Sequence, residues 1–147
     1  MQARKIVEDA SSTEDPVKRV ALSLIHSVSM YFDSKNRKKK QLNPLLGETY
    51  ELVMQDFRFC SEQVSHHPPI SAYCAEGNGY KLEGHTSSDS KFSFGGGTGK
   101  IEVYQHCHNN YSYSDDYITV SRPTIEAHNL VMGHLYVDFN GSITATS

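Results

Sequence analysis

From Tyr50 onward the chain carries no helical period, and what replaces it leaves few choices of fold. Short β-prone stretches succeed one another at roughly ten-residue intervals, the spacing of a meander or barrel wall. They are Tyr50–Met54, Arg58–Gln63, Ile70–Ala75, Tyr80–His85, Lys91–Phe94, Lys100–His106, Tyr111–Ser121 and Leu135–Phe139. Nine Tyr and six Phe supply the aromatic content that pleated, half-buried surfaces favour. Glu76-Gly77-Asn78-Gly79 and Asn140-Gly141 are hairpin-type punctuation.

Ahead of this lies a helical segment. Val17, Val20, Ala21, Leu24, Ile25 and Val28 recur on one face of a 3.6-residue period. Asp15-Pro16 suits its start, with Asp as the cap and Pro at the first helical position. Ser11 to Glu14 form a polar link, and residues 1–10 are read as a second short helix. The 147 residues therefore predict one α+β domain, predominantly β. Helices occupy 1–36 and antiparallel strands 37–147.

Charge narrows the function. The net charge of −3 excludes a general nucleic-acid binder. It is unevenly spread: residues 1–49 carry +3 and residues 50–147 carry −6, so an anion site draws on the first third. The longest uncharged run there, Val20 to Phe32, is thirteen residues, short of the roughly 20 a bilayer span needs. Met1 is followed by Gln2, Ala3, Arg4 and Lys5 with no apolar run behind them, so no secretory signal is expected. Three widely spaced cysteines (Cys60, Cys74, Cys107) argue against a disulfide framework and for a reducing, cytoplasmic setting.

Four motifs invite chemistry. Gly95-Gly96-Gly97-Thr98-Gly99-Lys100 fails as a phosphate loop, because Phe94 stands where the first Gly belongs and Ile101 where Ser or Thr is required; it is read as a flexible turn. His106 and His108 share one face of a strand and could contribute to a metal site, but no recognisable third ligand accompanies them. Arg37-Lys38-Lys39-Lys40 is a solvated basic run or an attraction to anionic membrane, worth about 1 kcal/mol per basic residue near the surface. His66-His67-Pro68-Pro69 is the most unusual tetrapeptide. Each Pro biases the residue before it to extended backbone, so His67 and Pro68 are expected to be extended at a strand break. Two neighbouring imidazoles can donate several hydrogen bonds to an anion, and imidazole gains charge readily beside a phosphate.

These residues carry a resemblance. Glu62-Gln63-Val64-Ser65-His66-His67-Pro68-Pro69 resembles the signature of the oxysterol-binding protein family. Asn43-Pro44-Leu45-Leu46-Gly47-Glu48-Thr49-Tyr50-Glu51 resembles its second signature, in matching order and spacing. The helix with Asp15-Pro16 and Arg19 resembles the stretch before it, and a looser likeness continues to about Gly141.

The resemblance implies an antiparallel lipid-binding barrel with the headgroup at its mouth and no covalent chemistry. It implies a phosphatidylinositol 4-phosphate headgroup site at Lys40, Asn43, His66 and His67, with a sterol or phosphatidylserine as a second cargo exchanged between membranes. Lys40 keeps the family's spacing to Asn43, whereas Gln41 and Leu42 depart from its K-P-F-N-P pattern. No cofactor or metal is implied, and the place of action is cytoplasmic, peripheral at membranes. The family domain is longer, with a lid before and further headgroup residues after the matched region. The implied barrel is then incomplete, with an open strand edge able to self-associate and an exposed apolar inner face. Two rivals remain: a remnant that binds nothing, and a metal-dependent hydrolase built from His66, His67, His106 and His108.

Overall fold

The computed structural model describes residues 2–32, 42–95, 98–128 and 136–147. Two helices, α1 (Gln2–Ser12) and α2 (Pro16–Phe32), precede nine strands. These are β1 (Thr49–Val53), β2 (Phe57–His66), β3 (Pro69–Gly77), β4 (Tyr80–Gly95), β5 (Thr98–Tyr113), β6 (Tyr117–Ser121), β7 (Thr124–His128), β8 (Tyr136–Asn140) and β9 (Thr144–Thr146). β1 to β6 form an antiparallel meander in chain order, β9 adds to β6, and β7 pairs with β5 and β8. The sheet stays open: among the described residues β1 is paired on one side only, by β2. No described helix is long and apolar enough to cross a membrane.

The strands differ from expectation where polar sequence conceals pairing. Tyr80–His85 and Lys91–Phe94 are parts of one strand, β4, because Ser87-Ser88-Asp89-Ser90 pairs residue for residue with His106 back to Val103. Gly95 faces Thr98, so β4 and β5 are linked through Gly96 and Gly97, which lie outside the described residues. The stretch Tyr111–Ser121 is broken instead of continuous: the Tyr113 N–H donates to the Asp116 carbonyl at 2.8 Å and closes the β5–β6 turn. Gly79, with φ +77, sits in the β3–β4 turn as its sequence implies. Gly141, with φ +111, leads not into a hairpin with β8 but to β9, which pairs with β6.

Asp15 caps α2, its Oδ1 accepting the N–H groups of Val17 at 2.9 Å and Lys18 at 3.3 Å. The face α2 buries is not the apolar one. Val20 and Leu24 pack toward the core, but Val17 is 76% and Ile25 53% exposed. Arg19, Ser23, His26 and Ser27 are buried instead, because the sheet offers them partners. Ser23 Oγ lies 2.8 Å from the Tyr113 hydroxyl, and His26 Nδ1 2.7 Å and Ser27 Oγ 2.8 Å from that of Tyr111. Arg19 reaches the β5–β6 turn through Asp115 at 3.0 Å and Asp116 at 3.5 Å.

The core lies between the helices and one face of the sheet. Val7 and Ala10 of α1 meet Ala75, Tyr80, Leu82, Tyr111, Tyr113, Ile118 and Val120. Gly84 is required here: a Cβ on it would stand 2.5 Å from the Tyr73 hydroxyl oxygen, so the Tyr73 ring crosses β4 to donate to Asn109 Oδ1. The other face of the sheet differs in character across its first four strands. Across β1–β4 the register sets Glu51, Cys60, Cys74 and Glu83 in one row and Val53, Arg58, Glu76 and Lys81 in the next. α1 and α2 pack on the apolar face, where Tyr50 and Leu52 of β1 stay exposed, and the uncovered face is largely polar across β1–β4.

Candidate functional site

The two signature segments meet at Gln63. Leu45 to Glu48 form a tight turn in which the Glu48 N–H donates to the Leu45 carbonyl at 2.9 Å. The Glu48 carboxylate in turn accepts the Leu45 N–H at 2.8 Å. Gly47 adopts φ +78 there, a conformation that L side chains disfavour, which explains a Gly-Glu pair at this point. Beyond the turn, the Gly47 N–H donates to the Gln63 carbonyl at 2.9 Å and the Gln63 N–H to the Glu48 carbonyl at 3.1 Å. The first segment is thereby docked on β2, three residues short of the histidine pair.

Gln63 also shapes the end of β2. The β2–β3 register slips between Gln63 and Ser65, leaving Val64 as the extra residue of a bulge. At 2% exposure, Gln63 holds that bulge with its side-chain amide. Nε2 donates to the Ser65 carbonyl at 2.8 Å, and Oε1 accepts from Ser71 Oγ on β3. The bulge re-aims the strand end, so His66 pairs with Pro69 and both His66 and His67 are exposed. Their rings stand 4.6 Å apart, edge to face.

His67 and Pro68 fall at the expected break between strands. They are the two turn residues of the β2–β3 hairpin, joined by a cis peptide bond.

Of the expected headgroup residues, His66 and His67 stand together at this hairpin tip. Asn43 is exposed in the segment that docks on Gln63 through Gly47 and Glu48. Lys40, with Arg37, Lys38 and Lys39, lies outside the described residues. The register separates the histidines a metal-dependent hydrolase would need. His106 and His108 lie on β5, paired with Ser87 and His85 of β4, while His66 ends β2, and β3 and β4 intervene. His108 faces His85, their ring centroids 5.5 Å apart.

Sequence reasoning missed a buried polar cluster under α2. Asn109 Nδ2 donates to Ser27 Oγ at 3.1 Å and to the Tyr111 hydroxyl at 3.3 Å. Arg122 donates to the Tyr73 hydroxyl at 3.2 Å and to Asn109 Oδ1 at 3.4 Å. Burial first, and then the Arg122 charge, lower the His26 pKa from 6.5 to about 4. Burial drives the Tyr111 hydroxyl far above its ordinary value. His26 and Tyr111 are neutral at pH 7 and tie the helix to the sheet. The signal in sequence was three polar residues, Ser23, His26 and Ser27, at helical spacing opposite the apolar stripe.

The family model described as oxysterol-binding protein matches residues 1–147. Human oxysterol-binding protein-related protein 1 is 39% identical over 97% of this chain, which spans 15% of that relative. Mouse oxysterol-binding protein-related protein 2 is 38% identical over 94% of the chain, which spans 29% of it. The crystal structure of the Osh1 ORD domain in complex with cholesterol superposes with a TM-score of 0.82 at 31% identity, covering 97% of this chain and 35% of that one. That of the Osh3 ORD in complex with PI(4)P, from Saccharomyces cerevisiae, gives 0.73 at 26% identity, covering 97% and 38%.

Proposed function

The chain belongs to the oxysterol-binding protein family, and from that membership we propose that it binds a phosphoinositide by its headgroup and moves lipid between membranes. The supporting observation is the joining of both signature segments through Gln63, which ties the strand ending in the exposed His66–His67 pair to the segment carrying Asn43. Two imidazoles and an amide can each donate to phosphate or inositol oxygens. Hydrogen bonds to a charged partner contribute roughly 1.5–3 kcal/mol each. Lys40, three residues before Asn43 in the sequence, would add a compact cation suited to phosphate.

Phosphatidylinositol 4-phosphate is the proposed headgroup lipid, in line with the ligand of the Osh3 domain. A sterol, the ligand class of the Osh1 domain, or phosphatidylserine is the second cargo. The chemistry is binding and release without covalent steps. Peripheral membrane contact fits the exposed Leu42, Leu45 and Leu46 directly after the basic run Arg37–Lys40. Apolar insertion there would be assisted by attraction of the basic residues to anionic lipid.

A titration with liposomes containing phosphatidylinositol 4-phosphate tests this reading. Saturable extraction that liposomes of phosphatidylinositol do not support is the expected result. Equal uptake from both would remove the headgroup assignment, and no uptake from either would leave a non-binding remnant of the family.

A further inference from the structure

Cys60 on β2 and Cys74 on β3 are direct cross-strand partners on the uncovered face of the sheet. Cys60 is exposed, Cys74 is partly so, and neither is engaged in a disulfide. Hydrogen bonds flanking β1 fix the phase of this pair. The Gln63 N–H donates to the Glu48 carbonyl and the Met54 N–H to the Phe57 carbonyl. In an antiparallel ladder those two bonds bracket Thr49–Glu62, Glu51–Cys60 and Val53–Arg58 as the pairs that exchange no bonds. The N–H and C=O of Cys60 therefore turn toward β3, and Cys60–Cys74 is a hydrogen-bonded pair.

That phase decides the chemistry. Hydrogen-bonded partners hold their Cα atoms about 5.5 Å apart, inside the range disulfides span. Their Cβ atoms stand at the wide end of about 4.5–5.5 Å, beyond the roughly 3.8 Å of a relaxed disulfide. A bond here can close, but under strain, and strained exposed disulfides are the easily reduced kind.

We propose that Cys60 and Cys74 form a reversible, redox-responsive disulfide across the β2–β3 hairpin, made by exchange with a small-molecule disulfide. The exposed Cys60 thiolate attacks one sulfur of the small disulfide. Its S–S bond breaks, a mixed disulfide forms on Cys60, and one small thiolate leaves and takes up a proton. Cys74 then loses its proton, and its thiolate attacks the Cys60 sulfur and expels the second small thiol. Two protein thiols are oxidised, one small disulfide is reduced to two thiols, and the protons released by the cysteines end on those thiols. Burial, offset in part by Lys81, raises the Cys74 pKa, with Glu76 and Glu83 adding to the rise. The raised pKa leaves little Cys74 thiolate at neutral pH, so the second step relies on the cross-strand proximity of the two sulfurs. The covalent link would span the hairpin whose tip carries His66 to Pro69.

The probe is glutathione disulfide, applied to the reduced chain, followed by acid quench and intact mass. The expected product is the chain less two hydrogens, with free thiols counted in denaturant falling from three to one. A single linked peptide should contain Cys60 and Cys74, and dithiothreitol should restore three thiols. Cys60→Ser and Cys74→Ser should each stop at a mixed disulfide, whereas Cys107→Ser, at a buried position on the helix-covered face, should leave the link intact. Separate glutathione adducts on Cys60 and Cys74 without a link would overturn the proposal. So would a link through Cys107, a bond between two chains, or three unreacted thiols.

Discussion

The Gly47 amide donates to the Gln63 carbonyl at 2.9 Å, and through this bond the two signature segments of the chain become one structure. Gln63 also holds the Val64 bulge through Ser65 and Ser71. Gln63→Leu keeps its bulk but leaves the Ser65 carbonyl and the Ser71 hydroxyl without their partner. Unmade buried hydrogen bonds cost about 1–3 kcal/mol. The variant should unfold at lower urea concentration by that amount. Hydrogen exchange should quicken at Gly47 and Gln63 more than in β5, and a uniform change across the sheet would count against a local clamp.

Replacing His66 and His67 together by Ala removes both donors at the hairpin tip, where they are exposed and 4.6 Å apart. Extraction of phosphatidylinositol 4-phosphate should be abolished, with roughly 3–6 kcal/mol of charge-assisted bonding gone. The fold should survive, since neither ring is buried. Parent-level extraction by a folded double variant would mean the pair does not touch the headgroup.

Among the basic residues, Lys40→Ala should weaken that binding more than Lys38→Ala or Lys39→Ala. Only Lys40 keeps the three-residue offset from Asn43. The others act through a field that salt screens within about 8–10 Å. Raising the salt should narrow the losses of Lys38→Ala and Lys39→Ala but not that of Lys40→Ala. Equal losses at all three positions would indicate a diffuse basic patch.

The signatures, the two helices and the meander were legible because they rest on local pattern. The features that sequence concealed have long-range causes. Ser87 to Ser90 look like a loop until β5 pairs with them, since pairing partners rather than side-chain propensity keep them extended. The buried face of α2 was mistaken because periodicity counts apolar residues. Burial of Ser23, His26 and Ser27 depends on Tyr111 and Tyr113, more than eighty residues away. Gln63 stands within a signature motif, yet its role lies in backbone bonds to Gly47 and Glu48 that no spacing displays.

His26 should make the fold acid-sensitive. Its folded pKa of about 4 lies below the unfolded 6.5, so the unfolded chain binds the extra proton between those values. Stability is therefore fully present above about pH 6.5 and lost as pH falls toward 4, by roughly 3 kcal/mol in all. Between pH 7 and pH 5 the loss should be about 2 kcal/mol in urea unfolding. His26→Asn should be less stable at pH 7 but show a flatter dependence over that window. An unchanged slope would place the acid sensitivity elsewhere.

β1 should be where copies of the chain associate. All five of its residues are exposed, and among the described residues only β2 pairs with it. In the phase fixed by Met54 and Gln63, Tyr50 and Leu52 bond to β2, while Thr49, Glu51 and Val53 turn their N–H and C=O groups outward. An unpaired edge of this kind is a template for another strand, and exposed Tyr50, Leu52 and Val53 add apolar area to it. Light scattering should rise with protein concentration. Glu51→Pro removes an outward N–H and obstructs docking, yet takes nothing from the β1–β2 ladder, because proline is tolerated on the solvent side of an edge strand. Leu52→Pro removes a ladder bond and should detach β1. The expected pattern is a folded, less associating Glu51→Pro and a destabilised Leu52→Pro. If Glu51→Pro scatters as the parent does while keeping the parent's urea midpoint, association runs through another surface.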